Sequence, residues 1–95
     1  MTRAEILENA KVCVCGHREQ DYGNPENSFN RIAKLWTAYM DFPFTAKDVA
    51  IMMGLLKVAR IKAGNSIDSA IDLAGYAACA GEIYSEVEYE QEKML

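Results

Sequence analysis

The sequence predicts an all-α fold, a small four-helix bundle completed by oligomerisation, and three observations carry that prediction. Apolar residues recur at three- and four-residue spacing, two capping-box patterns mark helix starts, and the only prolines, Pro25 and Pro43, fall at breaks between periodic stretches. No stretch alternates with period two for long enough to require a strand; Val12 to Cys15 comes nearest and is too short. The 95 residues suffice for a single domain, residues 1–95.

Each element follows in order. Thr2-Arg3-Ala4-Glu5 is a capping box that opens a first helix from Arg3 to about Cys13, with Ile6, Leu7 and Ala10 expected inward. Val14 to Gly23 reads as a loop. Asn24-Pro25 then supplies an N-cap and a proline at the first helical position. Phe29, Ile32, Leu35, Trp36, Tyr39 and Met40 form an amphipathic stripe on this second helix. Asp41-Phe42-Pro43-Phe44 breaks it, and Thr45-Ala46-Lys47-Asp48 opens a third helix, to about Ala63, with an acidic capping box. Val49, Ile51, Met52, Met53, Leu55, Leu56 and Val58 cover more than one face, so this helix is expected at the centre, packed on two sides. Gly64 is the stop signal and Asn65-Ser66 the restart. The fourth helix carries Ile67, Ile71, Leu73, Ala74, Ala77, Ala78, Ile83, Tyr84 and Val87, with residues 86–95 a frayed acidic tail.

Small residues add a packing signal. Ala70, Ala74, Ala77 and Gly81, with Ala78 alongside, let another backbone approach closely. They fit tight packing within the chain, or a seam between copies. Four helices in so short a chain make a thin bundle, and small domains gain core by associating, so a homo-oligomer is expected.

Composition excludes several classes. Ten basic residues against fourteen acidic ones give a net charge of -4, which argues against duplex nucleic acid as a partner. No apolar run approaches the roughly 20 residues of a membrane span, and the N-terminus lacks a signal-peptide core. Cys13, Cys15 and Cys79 make an odd count that fits a reducing cytoplasm better than a disulfide framework. Cys13-x-Cys15-x-His17 lacks the usual two-residue gap between cysteines, so no zinc is expected. His17 is the only histidine, which rules out a site with two histidine ligands.

Two polar clusters are candidates for chemistry. A short turn at Gly64 makes the third and fourth helices antiparallel neighbours. Arg60 and Asp68 then lie about four residues either side of the turn, with Lys57 and Asp72 about one helical turn further out, so each cation is level with a carboxylate. The arrangement reads either as two interhelical salt bridges or as a site where Asp68 and Asp72 hold a divalent cation and Lys57 and Arg60 take a phosphate. Tyr76 offers an aromatic face one turn beyond Asp72. Asp48 lies roughly 15 Å from Asp72 along the axis, too far to share a metal, and is better explained as the capping acid. The second cluster is the loop before the second helix. His17, Arg18, Tyr22, Gly23 and Asn24 stand beside a helix N-terminus, whose free amides favour a phosphate or carboxylate.

Several segments also carry a resemblance. They are Arg18 to Phe29, Ile32-Ala33-Lys34-Leu35-Trp36, Asp48-Val49-Ala50, Leu56-Lys57-Val58-Ala59-Arg60, and Asp68 through Asp72-Leu73-Ala74-Gly75-Tyr76-Ala77. In this order they resemble a family of small phage- and prophage-encoded helical proteins of unknown function, over about residues 5–84. A more distant similarity is to MazG-like all-α nucleotide pyrophosphohydrolases, which oligomerise and hold magnesium with clustered carboxylates. Those enzymes pair E-x-x-E on one helix with E-x-x-D on the next. This chain has no acidic residue between Asn27 and Met40, so the metal site is either rebuilt on other helices or absent.

Two functions are therefore expected to compete. One is a phage protein that binds a nucleotide or phosphate, with hydrolysis of nucleoside triphosphates assisted by magnesium. The other is a non-enzymatic helical interaction module, which the Glu82–Glu86 face and the acidic tail would serve.

Overall fold

The computed structural model describes residues 1–17 and 25–83. They form α1 (Arg3–Val12), a π-helical turn (Cys13–His17), α2 (Pro25–Met40), α3 (Ala46–Lys62) and α4 (Ser66–Ile83). The described residues are all-α, as the hydrophobic spacing required. The predicted tail, residues 86–95, lies outside them.

Local chemistry explains where the helices start. The Thr2 hydroxyl accepts the Glu5 amide at 3.2 Å while the Glu5 carboxylate accepts the Thr2 amide at 3.3 Å. Thr45 and Asp48 repeat the exchange at the head of α3, at 3.1 and 2.9 Å. Helix ends are equally legible. The amide of Asn65 donates to the Arg60 carbonyl and that of Gly64 to the Ile61 carbonyl, both at 3.1 Å, and Gly64 has φ +111°. That pairing is a Schellman turn, which leaves α3 and reverses the chain in three residues. At the end of α2, Phe42 donates back to the Thr37 carbonyl at 3.3 Å, and Asp41 takes the left-handed position with φ 53°.

The helices pack in the spatial order α1, α4, α3, α2. α3 and α4 form the central antiparallel hairpin. α2 covers one side of it, mainly through α3, and α1 docks on α4 without reaching α2 or α3. The core joins Phe29 and Ala33 of α2, Ala46, Val49 and Ala50 of α3, and Tyr76 and Cys79 of α4. Trp36 and Phe44 close its edge in a T-shaped contact with ring centroids 5.9 Å apart. α1 is held where Val14 of the π turn meets the backbone of Gly75; a Cβ on that glycine would stand 2.9 Å from the Val14 Cγ1 methyl.

Several expectations need correction. Val14 to His17 continues the first helix as a π turn and is not loop. Leu7, expected inward, is exposed, because α1 has a single neighbour to bury against. On α2 the predicted stripe is too wide: Phe29 is buried, Ile32 and Trp36 are partly covered, and Leu35, Tyr39 and Met40 face solvent. α3 does lie between two helices, yet Ile51, Met52, Leu55, Leu56 and Val58 are all exposed. Among the described residues no leucine or isoleucine is buried, and Val49 and Ser69 are the largest side chains fully removed from solvent. The core is thin, as anticipated.

Candidate functional site

The Schellman turn sets the register of the hairpin and thereby the first candidate site. Lys57 Nζ lies 3.0 Å from Asp72 Oδ2, the level pairing that counting outward from Gly64 predicts. Arg60 and Asp68 behave differently. Both are exposed, and neither forms an ion pair among the described residues, so only the outer of the two expected bridges is present.

This geometry bears on the expected magnesium site. Asp72 already has a cation beside it, which leaves Asp68 as the one uncommitted carboxylate of the pair. Among the described residues no three His, Cys, Asp or Glu side chains are grouped to hold a metal. Asp68 and Asp72 thus supply two carboxylates toward the roughly six oxygen ligands that a magnesium ion gathers. Tyr76 is also placed differently from expectation. It is buried against Phe29, ring centroids 6.1 Å apart, and acts as a core aromatic instead of an open stacking face.

The loop cluster is only partly within view. The backbone of His17 closes the π turn, whereas Arg18, Tyr22, Gly23 and Asn24 lie outside the described residues. Cys13 and Cys15 are exposed on the same turn, and Cys79 is buried in the core, so the three thiols do not converge.

The hairpin carries a second feature that the charge arithmetic missed. A groove of about 330 Å³ runs between α3 and α4, walled by Ile51, Leu55 and Val58 on one side and Leu73, Ala77 and Ala80 on the other. Gly54 lets the helices close at its floor, where an added Cβ would sit 3.4 Å from Leu73 Cδ1. Ile51, Leu55 and Val58 follow i, i+4, i+7 spacing and are 46%, 62% and 48% exposed, an apolar ridge standing beside an apolar trough. The signal was present in the sequence: α3 has more apolar positions than two neighbouring helices can cover.

Among the described residues no helix is long and apolar enough to cross a membrane. No solved structure matches the chain. It is similar to the Gene 55 protein of Mycobacterium phage D29, 43% identical over 82 residues that make up 85% of this chain and 54% of the relative. It is likewise similar to the Gene 55 protein of Mycobacterium phage L5, 47% identical over 74 residues, 76% of this chain and 47% of the relative. The chain thus spans about half the length of these curated relatives. A family model described as a domain of unknown function (DUF6378) matches residues 5–84, from the first turn of α1 through α4, and the chain belongs to that family.

Proposed function

We propose that this chain is a non-enzymatic helical interaction module of a phage or prophage, which works by docking apolar helices on its α3–α4 face. The observation that carries this reading is the exposed Ile51–Leu55–Val58 ridge beside the groove. Apolar side chains left half in water lose roughly 0.7–1.5 kcal/mol each relative to full burial, so a continuous ridge of them favours a covered state. The polar groups of the hairpin support it indirectly. Lys57 and Asp72 are engaged with each other, Arg60 and Asp68 are dispersed to solvent, and Tyr76 belongs to the core. Similarity to phage gene products supports the phage setting.

The test compares wild-type protein and Leu55→Asp in affinity capture from a lysate of infected cells, beside a nucleotide panel. Identified proteins, the chain itself included, retained by the wild type and lost by the variant support the reading. Identical capture by both, or magnesium-dependent release of pyrophosphate by the purified protein, overturns it.

A further inference from the structure

We infer that the partner seated on the α3–α4 face is a second copy of this chain, packed about a two-fold axis so that two hairpins complete one four-helix layer. The inference rests on the docking role proposed above and names the occupant. Position on the helices comes first. Val49 faces the core shared with α2 and Ala50 borders both that core and the groove, whereas Ile51, Leu55 and Val58 lie around the helix from Val49 and remain exposed. α2 therefore covers one side of the hairpin and leaves the groove side open.

Shape supplies the second argument. A two-fold contact uses the same patch twice, so the patch must contain both a projection and its own complement. This face does. Its bulk is on α3, in Ile51, Leu55 and Val58, and its relief is on α4, where Ala77 and Ala80 line the trough. Rotation by a half turn sets the α3 ridge of one copy over the α4 trough of the other.

Charge supplies the third. Residues 49–56 of α3 and 73–81 of α4 contain no charged side chain, although the chain as a whole carries -4. Near a two-fold axis a charged residue meets its own like, so an uncharged centre suits self-association. A heterologous partner is instead discriminated by complementary charges, which this uncharged centre lacks. Size sets the strength to expect. Helices of 17 and 18 residues make a face about 25 Å long and about 20 Å wide. That footprint of about 500 Å² is below the ~800 Å² per partner of a standard interface and corresponds to a weak dimer.

The full chain is examined under reducing conditions, to keep Cys13 and Cys15 from cross-linking, by sedimentation equilibrium from 1 to 100 µM (about two decades). The expected mass is about twice 10.6 kDa. Leu55→Asp should weaken association at least about 100-fold with helical circular dichroism retained. Ala77→Glu, which charges the opposite wall of the groove, should do the same and serves if Leu55→Asp fails to fold. Leu35→Asp, at an exposed apolar position on α2, should leave the dimer intact. A monomer throughout the range, a dimer indifferent to both groove variants, or one dissociated equally by Leu35→Asp overturns the inference. A monomer whose groove variants still lose a captured protein sinks only the identity of the partner. A monomer with unchanged capture sinks the docking role as well.

Discussion

At the scale of single residues, backbone geometry governs what Gly64, Asp41 and Gly75 can carry. Gly64 carries φ +111°, a conformation that strains any residue with a Cβ. Asp41 occupies the equivalent place at the end of α2 with φ 53° and does carry one. Asp41→Gly should therefore raise stability by about 0.5–1 kcal/mol, and Gly64→Ala should lower it by about 1 kcal/mol or more, both read from denaturant midpoints. Gly75 matters for proximity. Gly75→Ala gains about 1 kcal/mol of helix propensity but drives a methyl to 2.9 Å from Val14, an overpacking cost of about 1–3 kcal/mol. Gly81, with no atom of the described residues within 4 Å of its would-be Cβ, gains the propensity alone. Gly81→Ala should stabilise by about 0.5–1 kcal/mol, whereas Gly75→Ala should not, and only the latter should speed hydrogen exchange along α1.

At the scale of elements, caps and stops are where the sequence was most readable. Thr2 with Glu5, Thr45 with Asp48, and Gly64 each act within four residues, so their partners are fixed by local spacing. The Lys57–Asp72 pairing was also within reach, because a three-residue turn between straight helices converts sequence distance into height. Arg60 and Asp68 obey the same arithmetic and yet do not meet, since being level along the axis says nothing about rotation around it. The Lys57–Asp72 pair is partly shielded, at 17% and 36% side-chain exposure. A double-mutant cycle with Lys57→Met and Asp72→Asn should return a coupling of about 0.5–1 kcal/mol that shrinks in added salt. A coupling that salt leaves unchanged would contradict that picture. The wall of the groove was hidden for a different reason. Periodicity marks Leu55 as apolar but cannot say whether the helix that covers it lies in the same chain.

At the scale of the whole molecule, the packing order α1, α4, α3, α2 leaves α1 with one neighbour and α3 with an open flank. A closed bundle would bury its leucines; here the buried cluster is alanine-rich, with Phe29, Val49 and Tyr76 as its bulk. If the flank is covered by a second copy, unfolding and dissociation are linked, and thermal stability depends on concentration. The melting midpoint should then fall by about 3–5 °C for each tenfold dilution. A midpoint independent of concentration would mean that the hairpin stands alone.

The edge contact between Trp36 and Phe44 has a practical consequence for such measurements. Trp36 is the chain's only indole, and it sits at the junction of α2 and α3, on the side of the hairpin away from the groove. Its emission will report the loss of that junction on melting and stay nearly silent when two copies part. A dilution series followed by intrinsic fluorescence alone would look featureless even for a tight pair, so the optical probe has to be placed on the far flank.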